Sequence, residues 1–286
     1  MTVLEVIQRS TEFLGRKGVD SPRLQIEILL GHVLRMPRLQ LYLNHSLELP
    51  DGTVAEVRGL VQRRGNREPL QHLVGSVNFC GLEMAVSPAV LIPRPETEVL
   101  AEKAWQFMAG SQRASGRVLD VGTGSGCLAI AVAVHSPRSR VIALDVSPEA
   151  LEVARGNVER HGALDRVELR VSDGLGALSP EDRFDLVMTN PPYVPSGEIA
   201  SLQPEVRDFD PRMALDGGID GLDWSRRLAG EAGRRLQADG RLMMEFGDGQ
   251  AGVARAIFES KGWRVEALVP DLSGRERILV AEFRGP

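Results

Sequence analysis

Asn190-Pro191-Pro192-Tyr193 follows an apolar run, Phe184–Thr189, that reads as a buried strand. Two successive prolines lack N–H donors and fix φ, so they cannot continue a sheet ladder, and the backbone beyond Asn190 is held stiff with its carbonyls free to accept. Asn190 adds a side-chain carbonyl and Tyr193 a flat aromatic face. This set suits a planar group bearing NH2. Two carbonyls accept its two hydrogens, the ring stacks on its plane, and its lone pair points at whatever lies opposite. Methylation of an amide or an exocyclic amino nitrogen needs that geometry. Taken alone, the same four residues also make an ordinary strand-ending turn.

Upstream, the strand-like Arg117–Val121 runs into Gly122-Thr123-Gly124-Ser125-Gly126 and an apolar helical stretch from Cys127 to Val134. Glycines let a ligand approach the backbone, and a helix N-terminus presents free N–H groups. Dinucleotide sites space their glycines G-x-G-x-x-G. Here the spacing is G-x-G-x-G, which favours the tighter loop along the methionine part of S-adenosylmethionine, although glycines alone leave a nicotinamide cofactor open. Asp145 ends the next strand, Arg140–Leu144, at the distance where an acid reaches the ribose hydroxyls of an adenosine cofactor. Its bland role is to help start the helix after Ser147-Pro148. Asp173 and Gly174 end a third strand, Val167–Val171, and offer an acceptor and a backbone N–H to adenine, or plain turn chemistry.

These groups need a scaffold. From residue 95 onward, helices alternate with apolar strands, which predicts a doubly wound α/β domain with a mostly parallel sheet. Ligands bind outside the carboxyl ends of such strands, and the glycine loop, Asp145, Asp173 and Asn190 all fall there. Trp263–Val269 and Arg277–Phe283 flank a turn and predict an antiparallel edge hairpin. Residues 2–18, 21–36, 38–43 and 53–67 read as helices of a small all-helical domain, with Ser21 capping the second. The expected division is 1–70 for that domain, 71–92 for a β-hairpin linker and 93–286 for the catalytic domain. Pro95 opens a helix to Met108; Arg94 and Glu96 either shape a lid over the pocket or belong to that helix start, while Glu245 ends the strand Arg241–Met244 on the same rim.

The chain has 286 residues and a formal net charge of −5, which gives no global sign of a duplex-DNA binder. The N-terminus lacks a charged segment followed by an apolar core, and no apolar run approaches spanning length, so a cytoplasmic protein without membrane contact is expected. Two cysteines and five scattered histidines make neither a disulfide framework nor a metal site, and Cys127 reads as a small buried side chain. Arg58, Arg63, Arg64 and Arg67 form either a solvated face or a positive face for an acidic partner.

Asp120-Val121 with the glycine loop, Asp145 and Asn190–Tyr193, in this order, resemble a class I S-adenosylmethionine-dependent methyltransferase with its Rossmann-like domain. Leu91-Ile92-Pro93-Arg94-Pro95-Glu96-Thr97-Glu98 resembles more closely the signature of the release factor glutamine N5-methyltransferases, the HemK/PrmC family. Further likeness lies in Ser21–Arg23 with Glu27–His32, in Glu68–Gly75, and in Asp210–Gly218. The resemblance implies methyl transfer to the glutamine of the Gly-Gly-Gln loop of class 1 peptide-chain release factors, S-adenosylhomocysteine as product, no metal and no direct nucleic-acid binding. In that reading Asn190, Pro191 and Tyr193 are catalytic, and Pro192 and Arg94 also contact substrate. Gly122–Gly126, Asp145, Asp173, Gly174 and Asn190 hold the cofactor. Gly174 departs from members with an aromatic residue there, and glycine cannot cover an adenine face. Two other readings stand beside it: an N6-adenine methyltransferase, which offers the same planar NH2 but calls for a basic cleft, and a non-catalytic scaffold that keeps the cofactor pocket.

Overall fold

In the strand that precedes Asn190, Leu186 and Met188 pack into one apolar cluster and Val187 into another, so the strand is covered on both faces. The same alternation separates Val118 from Leu119, and Met243 from Leu242 and Met244. It is the period-two signature of a sheet between two helical layers. The structure, a computed structural model, describes residues 1–110 and 115–285; within the expected span 93–286, residues 111–114 and 286 lie outside the described residues.

The chain forms two units by its contacts: Met1–Ser76 with Gln203–Phe209, and Val77–Leu202 with Asp210–Pro286. The first holds helices α1 (Val3–Arg16), α2 (Pro22–Leu34), α3 (Arg38–Leu43), α4 (Asp51–Gly65) and α5 (Leu70–Val74). Leu14, Ile26, Leu29, Leu30 and Val57 are at its core. Two local expectations are corrected. Ser21 precedes α2 in a left-handed conformation, φ 46°, and makes no side-chain cap, so the helix begins on Pro22 alone. Residues 71–74, placed in the hairpin linker, belong instead to α5, because Leu73 packs into the helical core. Five residues are too few for a readable period.

A hairpin of β1 (Ser76–Phe79) and β2 (Leu82–Ala85), which belongs to the second unit from Val77 onward, comes next. Its turn places Cys80 at φ 52° and Gly81 at φ 78°, the paired left-handed geometry that matches strand twist. There follow α6 (Pro95–Gly110), β3 (Gly116–Val121), α7 (Cys127–His135), β4 (Ser139–Asp145), α8 (Pro148–Arg160), β5 (Val167–Val171) and β6 (Phe184–Thr189). After the short α9 (Pro204–Arg207) come α10 (Asp223–Glu231), β7 (Leu236–Glu245), α11 (Ala251–Glu259), β8 (Trp263–Pro270) and β9 (Glu276–Phe283). Sheet order is β5-β4-β3-β6-β7-β9-β8, parallel except at β9 and β8, the expected edge hairpin. Helices α6 and α7 pack on one face, α10 and α11 on the other. The order turns about β3, whose neighbours β4 and β6 follow it on opposite sides. A crevice opens outside the strand ends at such a switch.

Helix α9 lies in the segment Gln203–Phe209, whose contacts are with the helical unit. Glu205 accepts from Arg64 Nη2 and Arg67 Nη2, both at 2.7 Å, and Arg64, 5% exposed at its side chain, also donates to Gln25. Arg63 pairs with Glu68. The arginine run is therefore no uniform positive face: its acidic partners lie within the chain, and among the described residues only Arg58 of the four has no ion pair.

Candidate active site

The glycine loop, Asp145 and Asn190 stand at the ends of the buried strands β3, β4 and β6, where the chain must turn, while Asp173 and Gly174 follow the partly exposed edge strand β5. After β3 the loop takes Gly122, Gly124 and Gly126 through φ of 71°, 54° and 82°, a left-handed run that only glycine adopts without strain. The N–H groups of Gly122 and Thr123 donate to Leu144 O, and that of Gly124 to Asp145 Oδ2 at 2.8 Å, so the loop hangs on the end of β4. Asp145 Oδ1 accepts from Ser147 N, and Ser147 caps α8 through Ala150 N. Asp145 thus starts the helix and shapes the loop at once, and each carboxylate oxygen keeps lone pairs for further donors.

Gly122–Ser125 of the glycine loop, Asp145, Asn190, Pro192 and Arg94 line one cavity with Trp224 and Met213, while Gly126 packs instead against Ile130 and Ala154. At Gly122 and Gly124 the space where a Cβ would stand is open. Asp120 is fully buried under the loop. Its Oδ2 accepts from Thr123 Oγ1 at 2.6 Å; Oδ1 has no hydrogen bond of normal geometry, although the Ala129 N–H favours its charge. Burial pushes the Asp120 pKa up to about 7, and the charge of Asp145 adds to this. The Asp145 carboxylate beside an uncluttered glycine cradle fits a ligand that carries hydroxyls and positive charge, as S-adenosylmethionine does.

Asn157 on α8 was not singled out in the sequence. Fully buried, it accepts from Ala85 N at 2.7 Å and donates to Ala85 O at 3.0 Å and to Ser125 O at 2.9 Å. It ties the glycine loop to the hairpin; a lone Asn in a polar helix gives no sign of this in sequence.

Asn190 donates from Nδ2 to Thr97 Oγ1 at 3.0 Å, and Thr97 Oγ1 lies 2.8 Å from Glu245 Oε2. Tyr193 OH lies 3.3 Å from Glu245 Oε1. Neither Asn190 Oδ1 nor the Pro191 carbonyl accepts a hydrogen bond from a described residue. Burial pushes the Tyr193 phenol up, and its backbone carbonyl accepts from Gln250 Nε2 at 2.9 Å. The loop is further pinned where Val194 N donates to Leu215 O and Gly217 N to Val194 O. Between them, these contacts fix the backbone and ring tip of the Asn-Pro-Pro-Tyr turn.

Arg94 lines the cavity but its guanidinium is held by the buried carboxylate of Asp210. Glu96 is exposed, and Thr97, one residue on, faces the site instead. Gly174 lines the cavity, whereas the Asp173 carboxylate is exposed and engaged by Arg227 at 2.5 Å. A Cβ on Gly174 would meet that guanidinium at 2.6 Å, and Arg227 lies 5.1 Å from the Trp224 ring. The space that an aromatic residue would need is filled by Arg227. Among the described residues no cluster of three or more metal-ligating side chains exists, and no helix is long and apolar enough to cross a membrane.

Two family models match: the PrmC N-terminal domain over residues 5–75 and the methyltransferase small domain over residues 100–203. A protein of Geobacter sulfurreducens named release factor glutamine methyltransferase is 42% identical over 278 residues, covering 97% of this chain and 95% of that protein. The chain belongs to the release factor glutamine methyltransferase family. Members so named from Rhodopirellula baltica, 40% identical over 97% of this chain and 95% of that one, and Deinococcus radiodurans, 37% identical over the whole of both, align with it end to end. Among solved structures, a methyltransferase from Pyrococcus furiosus superposes with a TM-score of 0.51 at 21% identity, covering 72% of this chain and 91% of that one. The hMettl16 catalytic domain superposes with 0.55 at 15%, covering 83% and 84%. At these identities the likeness is one of fold, the Rossmann-like class I methyltransferase fold.

Proposed function

We propose that the chain transfers a methyl group from S-adenosylmethionine to the side-chain amide nitrogen of the glutamine in the Gly-Gly-Gln loop of class 1 peptide-chain release factors, acting on translation termination in the cytoplasm. The observation that carries the reading is the orientation of Asn190. Its NH2 is committed to Thr97, so its carbonyl oxygen is the edge left for a ligand, and the Pro191 carbonyl is the second acceptor in reach of the same turn. A primary amide has two hydrogens to fill them.

When bound, S-adenosylmethionine supplies an electrophilic methyl on a sulfonium centre and departs as S-adenosylhomocysteine. The chain's task is to make a poor nucleophile attack. An amide nitrogen shares its lone pair with its own carbonyl. Acceptors at both hydrogens stabilise the positive charge that develops on the nitrogen as the N–C bond forms and the S–C bond breaks, and Tyr193 would hold the amide plane so that the lone pair faces the cofactor pocket. The proton of the methylated nitrogen, acidic once that nitrogen is cationic, then passes to solvent, Asn190 Oδ1 and Pro191 O serving only as hydrogen-bond acceptors. Gly122–Ser125 and Asp145 would hold the cofactor, with Asp120 beneath the loop fixing Thr123 and Gly126 packing it onto α8, Gly174 would face the adenine, and Arg94 shapes the mouth through Asp210.

The test is incubation with labelled S-adenosylmethionine and, separately, a release factor, its loop Gln→Ala variant and unmethylated DNA, followed by peptide mass analysis. Label on the loop glutamine alone is expected. Label in DNA adenine, or on the factor lacking the glutamine, refutes the substrate assignment.

A further inference from the structure

We propose that Glu245, acting through Thr97, is the positioning residue that decides which edge of the Asn190 amide faces the substrate nitrogen. This rests on Asn190 serving as an acceptor for the substrate amide, as above.

An asparagine side chain presents nearly the same shape after a half-turn, so shape alone does not choose between C=O and NH2 toward the pocket. A chain of donors does. Thr97 has one hydroxyl hydrogen. Given to Glu245 Oε2 at 2.8 Å, it leaves only the oxygen of Thr97 to face Asn190, and an oxygen selects the NH2 edge, at 3.0 Å. Oδ1 is thereby turned to the opposite side. The other oxygen of Glu245 receives the Tyr193 hydroxyl at 3.3 Å, so one carboxylate restrains both the acceptor and the stacking ring. Three elements meet here: Thr97 in the first turn of α6, Glu245 at the end of β7, and the turn after β6. Glu245 is 1% exposed and Thr97 2%, which keeps water from substituting for either.

The arrangement depends on an ionised Glu245. A proton on Oε2 becomes a donor to Thr97, the Thr97 hydrogen turns to Asn190, and the amide must flip to present its oxygen to Thr97 and its NH2 to the pocket. Two NH2 groups then face each other. Burial raises the Glu245 pKa to about 7; Glu96 on α6 raises it further, while Thr97, Tyr193 and Arg277 on β9 lower it. The acceptor edge is therefore presented above that pH and lost as the pH falls through it.

The experiment uses the full chain with S-adenosylmethionine and a purified release factor, with kcat and KM separated from about pH 6 to about pH 9. Thr97→Val keeps the shape and removes the hydroxyl. Its kcat is expected to fall roughly tenfold or more with cofactor affinity within roughly twofold, and Thr97→Ser to return within roughly threefold of the parent. Parent kcat should fall below about pH 7 as one group protonates, and Glu245→Gln, which has no proton to take up, should lack that limb. A Thr97→Val protein that binds cofactor and turns over like the parent overturns the inference; so does a Glu245→Gln profile of parental shape. Should Thr97→Val fail to fold, a parent and Thr97→Ser profile flat through pH 7 overturns it equally. Asn190→Ala separates the two readings. If it is inactive while the Thr97 and Glu245 variants are normal, only the positioning role fails; if it turns over normally, the acceptor role itself is wrong.

Discussion

Replacing Asn157 with alanine removes three hydrogen bonds at once, to Ala85 N, Ala85 O and Ser125 O. A typical bond contributes about 1 kcal/mol net, so the loss is expected near 3 kcal/mol, and more if Ser125 O stays dry. Packing and hydrogen bonding are separable here. Asn157→Asp has the same shape and keeps the bond from Ala85 N, but sets a carboxylate oxygen against two carbonyl oxygens. It should be at least as destabilising as alanine at neutral pH. Urea denaturation gives the shift in midpoint, and calorimetry gives the affinity for S-adenosylmethionine, which should weaken in both variants because Ser125 lies in the glycine loop. An aspartate variant of parental stability, or a loss below about 1 kcal/mol for alanine, refutes the account of Asn157 as a hydrogen-bonding tie.

Gly126→Ala puts a Cβ at φ 82°, 3.2 Å from Ile130 Cδ1 and 3.3 Å from Ala154 Cβ. Left-handed strain of about 1–2 kcal/mol should lower both Tm and cofactor affinity, read by thermal unfolding and calorimetry. Glu205→Ala leaves Arg64 buried without its carboxylate; since Arg67 and Glu205 keep some water contact, a loss of about 2 kcal/mol is expected, below that of a fully buried pair, with faster amide exchange confined at first to residues 203–209. Burial raises the Glu205 pKa, but hydrogen bonds from Arg64 and Arg67 outweigh it and the net shift is downward from 4.5. A lowered carboxylate pKa means that the pair stabilises fully at neutral pH and is lost as the pH falls below that value, so stability should drop on that acid side in the parent and less in the variant. Burial pushes both Cys80 and Cys127 thiols up to about 12, so neither should react with a thiol reagent at about pH 8 until the protein is unfolded. Rapid labelling of the folded protein, with loss of activity, counts against an inert role.

Much of the catalytic unit was legible because its signals are local. The buried run before Asn190, the glycine spacing and the strand ending in Asp145 each announce themselves within a dozen residues, and β6 has the bounds read from its apolar run. The short elements were not legible. Helix α5 has too few residues for a period, and the Ser21 cap fails because its backbone is left-handed, φ 46°, where a capping residue is extended. Polar residues spoke least. Arg64 and Arg67 look like a solvated face until Glu205, far along the chain, is brought to them.

Order of elements, period of burial and the identity of the Asn-Pro-Pro-Tyr turn are fixed by neighbours along the chain, since backbone stiffness and side-chain alternation act over a few residues. What Asn190 does with its two edges is not. Thr97 lies 93 residues before it and 148 before Glu245, and they meet only because β7 pairs with β6 and the first turn of α6 sits over both strand ends. A buried hydroxyl must place its single hydrogen, and which partner takes it depends on who stands within 3 Å after folding. That decision belongs to the tertiary structure.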